Sequence, residues 1–185
     1  SSPNTPGLRS MQTRALFGGE KINGSENRAV LHTALRSDLS DSPAAHEAHR
    51  QAQEVLAQIE QVIGRFRAQG ITDVISVGIG GSDLGPRLAL NALTDFSSDE
   101  FRVHFLSSAD GFHLERYMAA LDPKRTAVLL VSKSFNTQET LINGEVLKQW
   151  LGDPGRVYAI TANGAKAQAF DVPPENVLSI WDWVG

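Results

Sequence analysis

Ser132, Lys133, Ser134, Phe135, Asn136, Thr137, Gln138, Glu139 and Thr140 carry four hydroxyls, two amides and a lysine directly after the apolar run 126–131. Hydroxyls and backbone N–H groups, placed where a buried strand hands over to a helix, suit a doubly charged phosphate. Lys133 adds a point charge rather than a bidentate clamp. A second loop, Gly78, Ile79, Gly80, Gly81 and Ser82, follows the apolar run 73–77. It is not a dinucleotide fingerprint, because the third glycine would fall at Asp83, and no Gly-Lys-Ser/Thr follows to make a Walker A loop. It offers close backbone approach, the Ser82 hydroxyl, and N–H groups at a helix opened by Gly85 and Pro86. Plainer readings stand beside these. The glycines also permit a tight strand-to-helix turn, Asn136 with Glu139 fits a capping box, and Lys133 fits a solvated strand end. Capping does not require Ser132, Lys133, Ser134 and Thr137 as well. Two such loops at strand ends point to a phosphorylated small molecule held between them.

Other titratable residues add little chemistry. His46 and His49 lie three apart on a long helical pattern, one residue short of a His-Glu-x-x-His zinc site, and read as a solvated face. His32 and His104 sit among apolar neighbours and read as core or edge residues. His113 follows Asp110 and Gly111 near a third strand end and is the weaker candidate for ligand approach, while Asp110 reads as an N-cap. No acid–base pair emerges from Glu139, Asp110 and His113, two of which have capping roles available. A sugar-phosphate site without a general base binds its ligand but does not turn it over.

These loops need a scaffold, and the pattern supplies one. The chain has 185 residues, 41% apolar and 21% charged, ordinary values for a globular domain large enough to be held by its own core. A net charge of −4 with no basic stripe argues against a nucleic-acid surface. Zero cysteines exclude disulfides, thiolate nucleophiles and Cys-based zinc sites, and are compatible with a reducing cytosol. No apolar stretch approaches the ~20 residues that span a membrane. Residues 1–27, rich in Gly, Ser, Asn and Pro, read as an irregular arm. A short amphipathic helix is expected over 28–36 and a turn over 37–42. Pro43 then opens a long helix, with Ser42 as N-cap and Gly70 as its stop. Beyond it, strands at 73–77, 102–106, 126–131, 156–160 and 177–180 alternate with helices at 84–93, 112–121, 137–151 and 165–170. Such alternation, with uninterrupted apolar strands, predicts a three-layer αβα sandwich on a mostly parallel, about five-stranded sheet filling 28–185. Ligands of such sheets bind beyond the carboxyl ends of the strands, where both loops fall. The chain starts without Met and ends on Trp181, Asp182, Trp183, Val184 and Gly185 with no polar tail, and so reads as a piece of a longer polypeptide, truncated at its C-terminal end.

The run 78–86 and the run 132–140 together resemble the two sugar-phosphate motifs of glucose-6-phosphate isomerases. Residues 19–23, 27–32 and 181–185 resemble the flanking segments of that family, in order, over nearly the whole chain. The resemblance implies a cytoplasmic, homodimeric enzyme of glycolysis and gluconeogenesis that interconverts glucose 6-phosphate and fructose 6-phosphate without metal or redox cofactor. It implies that Gly81 and Ser82 contact the sugar and that Ser132, Lys133, Ser134 and Thr137 grip the phosphate. Family members carry threonine at the positions of Ser134 and Asn136. Serine keeps the hydroxyl, and asparagine is expected to strengthen the helix cap. Ser108 stands where asparagine is usual, which counts against a ligand role for the loop 106–111. The family's substrate-facing arginine, catalytic glutamate, ring-opening histidine and C-terminal lysine have no counterpart here, so no catalytic residue is expected in this chain. The alternative is a sugar-phosphate-sensing domain of a regulator or transferase, against which the closing Trp-Asp-Trp segment and the motif order argue.

Overall fold

The computed structural model describes residues 6–25, 27–36, 42–96, 100–107 and 111–184. Five strands, β1 (Asp73–Val77), β2 (Arg102–Leu106), β3 (Thr126–Val131), β4 (Val157–Thr161) and β5 (Val177–Ser179), form one sheet in the order β2-β1-β3-β4-β5. Every pairing is parallel, so the expected mostly parallel sheet is wholly so among the described residues. The α-helices are α1 (Pro6–Gly18), α2 (Pro43–Ala68), α3 (Gly81–Ala92), α4 (Gly111–Ala120), α5 (Gln138–Leu151) and α6 (Gly164–Ala169).

The chain divides into two compact units, residues 60–180 and residues 1–59 with 181–185, and α2 is shared between them. In the larger unit the strand period of two sorts side chains to opposite faces. Ile75, Val77, Val128, Leu130, Val157 and Ala159 join Leu114, Leu147, Leu151 and Ala167 of α4, α5 and α6 in one core. Val74, Ala127, Tyr158 and Leu178 point the other way, to Val62 and Phe66 at the end of α2. Both faces are thus covered, which is why the strands read as continuous apolar runs.

At the amino end of the sheet Asp73 is buried and accepts hydrogen bonds from Arg102 Nε and Nη2 at 2.9 and 2.7 Å, His104 Nε2 at 2.8 Å and Thr72 Oγ1 at 2.8 Å. Burial pushes this carboxyl up, but the hydrogen bonds and the Arg102 charge outweigh it and bring it down to about 2. His104 is therefore an edge residue with an ionic partner, stacked obliquely on Tyr117 at 5.3 Å.

In the smaller unit Leu31, Ala34, Ala45 and Ala48 form a core against which Ala29 and Trp183 pack. Trp181 and Trp183 stack at 4.7 Å, and the Trp183 carbonyl accepts from the Leu31 N–H at 3.3 Å. Several expectations need correction here. Residues 1–27 are not an irregular arm throughout: Pro6–Gly18 is helical, because Leu8, Arg9, Met11, Gln12, Arg14, Ala15 and Leu16 are ordinary helix formers behind a first-position proline. The helix expected over 28–36 shrinks to a single 3-10 turn, His32–Leu35. His32 is exposed, whereas His49 is half-buried and donates from Nδ1 to the Ala34 carbonyl at 2.7 Å. Of the turn expected over 37–42, only Ser42 lies within the described residues; its hydroxyl donates to the Gly18 carbonyl at 2.7 Å.

Candidate functional site

The site begins with strand order. β1 is paired with β2 on one side and β3 on the other, so consecutive connections leave it in opposite directions. In the order 2-1-3-4-5 the crevice opens at the carboxyl ends of β1 and β3. Val77 and Leu130 are in register, so the glycine loop after β1 and the hydroxyl loop after β3 leave neighbouring strands at the same end. Gly81, Ser82, Ser132, Lys133, Ser134 and Thr137 all lie on these two loops or the helix starts that follow them.

The glycine loop is tighter than its sequence suggests. α3 starts at Gly81 rather than at residue 84, with Gly80 as its N-cap at φ +58°, and Pro86 lies inside the helix. A left-handed φ at that position suits glycine. A Cβ on Gly78 would lie 2.7 Å from the Ser82 carbonyl oxygen, so this close approach also requires glycine. Pro86 has no N–H to give that carbonyl. The Ser82 N–H donates to the Ile79 carbonyl at 3.2 Å and the Asp83 N–H to the Gly80 carbonyl at 3.0 Å. Two N–H groups expected to face a ligand are therefore turned into the loop; among the described residues nothing accepts from the Gly81 N–H. Asp83, 5% exposed, places a carboxylate in the first turn and accepts from Arg87 Nη2 at 2.8 Å; Arg87 in turn lies over the Phe105 ring at 4.6 Å. The Asp83 carboxylate in this first turn is balanced by Arg87, so the pair brings little net charge to the positive end of the helix.

The hydroxyl loop is built differently. Phe135, at φ +52° and 2% exposed, plugs the core and turns the chain, lying edge-on to Phe170 at 5.9 Å. On either side of this anchor the Ser132 and Thr137 hydroxyls come together at 3.1 Å, Ser132 buried and Thr137 half-buried. Ser134 is exposed and Lys133 half-buried. The Lys133 carbonyl is fixed from β4, accepting from the Ala162 N–H at 2.9 Å and Thr161 Oγ1 at 3.1 Å. The capping box does not form: Thr137, not Asn136, is the N-cap of α5, and its side chain makes no capping bond. Asn136 Oδ1 instead accepts from Lys166 Nζ. Helix capping therefore does not account for either residue, and the Ser132–Thr137 hydroxyl pair is left facing its own loop. One turn in, the buried Thr140 hydroxyl has no partner among the described residues.

Sequence reasoning missed the support from the β4–α6 turn. Asn163 caps α6 by accepting from the Lys166 N–H at 3.3 Å, and its own N–H donates to Thr161 Oγ1 at 3.0 Å. The available signal was Asn163 at a fourth strand end, a cap residue before a helix. Residues 108–110 of the third loop lie outside the described residues, so Ser108 and Asp110 have no structural account. His113 is exposed on α4, its ring edge-on to Phe112. Among the described residues no three His, Asp or Glu side chains are grouped to hold a metal ion, and no helix is long and apolar enough to cross a membrane.

The family model for phosphoglucose isomerase matches residues 5–185. The chain is 54% identical over 171 residues to glucose-6-phosphate isomerase of Xanthomonas axonopodis pv. citri, covering 92% of this chain and 34% of that protein. Its identity to the Xanthomonas campestris pv. campestris enzyme of the same name is 53% over the same span. It superposes on the crystal structure of a glucose-6-phosphate isomerase from Chlamydia trachomatis with a TM-score of 0.80 at 28% identity, covering 95% of this chain and 36% of that one. A hypothetical protein from Thermus thermophilus, at 22% identity and a TM-score of 0.62, shares the fold. The chain spans about a third of the length of the curated relatives it matches. With its five-stranded sheet, its two strand-end loops and a match running from residue 5 to residue 185, this chain belongs to the phosphoglucose isomerase family.

Proposed function

We propose that this chain is the sugar-phosphate-binding portion of a cytoplasmic, homodimeric aldose–ketose isomerase that interconverts glucose 6-phosphate and fructose 6-phosphate. The observation that carries the reading is the exit of both loops from adjacent, in-register strands at the carboxyl end of the sheet. Ser132, Lys133, Ser134 and Thr137 hold the phosphate, through hydroxyls that capping leaves unused and a lysine whose carbonyl is fixed from β4. Gly81 and Ser82 contact the sugar, through a loop whose glycines admit close backbone approach.

The base that moves the proton between C2 and C1 through a cis-enediolate belongs to the rest of the polypeptide. The chain by itself binds without turnover, and a coupled assay for fructose 6-phosphate checks this. The decisive test is a calorimetric titration with 6-phosphogluconate, an open-chain sugar phosphate. Wild type binds saturably, and Thr137→Val, which replaces the hydroxyl by a methyl of similar shape, weakens binding by about 1.5–3 kcal/mol, the value of a hydrogen bond to a charged group. Equal binding by both proteins overturns the assignment.

A further inference from the structure

Lys166 is thirty residues from the hydroxyl loop in sequence, yet its ammonium group donates to Asn136 Oδ1, one residue from Thr137. The two exposed side chains meet above a hydrogen-bonded turn. Asn163 caps the start of α6 through the Lys166 N–H, and Thr161, 1% exposed, ties the same turn to the Lys133 carbonyl. Ser132 is tied in as well, its N–H donating to the Ile160 carbonyl at 3.1 Å. The end of β4 and the first turn of α6 thus hold the hydroxyl loop at Ser132, Lys133 and Asn136. Two other basic residues, Lys148 of α5 and Arg156 just before β4, are neutralised locally, Lys148 by Glu145 and Asp171, and Arg156 by Asp153, whereas Arg65 and Arg125, like Lys166, donate only to carbonyl or amide oxygens among the described residues. Lys166 has only the neutral Asn136 amide, with no carboxylate in ion-pair reach among the described residues.

We propose that Lys166 is a positioning residue of the phosphate loop, holding Asn136 and adding a second positive charge beside Lys133 for a dianionic ligand. This rests on the loop assignment above. A charge at the edge of the loop acts through solvent, so its effect is moderate and screened by salt. Three variants of the 185-residue chain separate the possibilities when titrated with glucose 6-phosphate at low and at high sodium chloride. Lys166→Gln is expected to weaken binding about five- to tenfold at low salt, with the gap closing at ~0.5 M, where the screening length falls below ~5 Å. Lys166→Arg restores most of the affinity. Asn136→Ala, which keeps the charge but removes its tether, gives a smaller loss that persists at high salt. An unchanged affinity in Lys166→Gln, alongside a clear loss in Thr137→Val, overturns the role of Lys166 and leaves the loop assignment standing. No difference in either variant, or no binding by wild type, overturns both.

Discussion

Asp73→Asn removes a buried negative charge that three neighbours address, and its consequence can be worked out in advance. The carboxyl sits at about 2 in the fold against an ordinary 3.8. At about 1.4 kcal/mol per pH unit, that fall stabilises the native state by roughly 2.5 kcal/mol at neutral pH. Because the folded value is the lower one, the contribution is complete above pH ~5 and is lost as pH falls through 3.8 towards 2; about half is gone by pH 3. Arg102 is well exposed and regains water when its partner is neutralised, so little further penalty is expected from it. Urea denaturation at pH 7 should place Asp73→Asn about 2–3 kcal/mol below wild type, and at pH 3 the gap should shrink by about 1 kcal/mol. A gap that stays the same at both pH values would refute the reasoning, since it would mean that the charge of Asp73 is not what the fold uses. Ligand affinity should be untouched, because the cluster sits at the amino ends of β1 and β2 while the loops leave the carboxyl ends.

Gly78→Ala would set a methyl 2.7 Å from a backbone oxygen, and is expected to cost about 1–3 kcal/mol in denaturation and to weaken 6-phosphogluconate binding by displacing Ser82; an unchanged midpoint and affinity count against the loop geometry. Asn176→Ala deprives the Gly155 and Val157 carbonyls of donors at 3.0 Å each and should lower stability by about 2–6 kcal/mol, at 1–3 kcal/mol for each group left unpaired, with no change in ligand affinity. Thr137→Val should weaken ligand binding and also lower stability by about 1–3 kcal/mol, because its hydroxyl, though it makes no helix cap, is the partner of the buried Ser132 hydroxyl.

Much of the fold was legible because a parallel sheet covered on both faces leaves a plain trace. Runs such as 126–131, bounded by turn residues and followed by helical periodicity, fix the strands β1 to β4 to within a residue or so. The helical stretch Pro6–Gly18 was missed because the Gly, Ser, Asn and Pro of residues 1–27 surround a run of ordinary helix formers and dominate the composition of that segment. The capping box at Asn136 and Glu139 is the instructive error. The local pattern is right for a cap, but Phe135 turns the chain into a left-handed conformation and moves the helix start to Thr137. Asn136 is thereby released to Lys166, a partner no local rule could name.

From sequence alone follow the class of the sheet, the absence of cysteine chemistry, and the residue types that suit a phosphate, because each depends on composition or on spacing within one element. Only the tertiary structure decides that β1 lies between β2 and β3, and hence that the glycine and hydroxyl loops share one end of neighbouring strands. It alone also turns two glycine-loop N–H groups inward and brings Lys166 to Asn136. Strand order and long-range hydrogen bonds are set by how whole layers pack, a global minimum that local propensity leaves open.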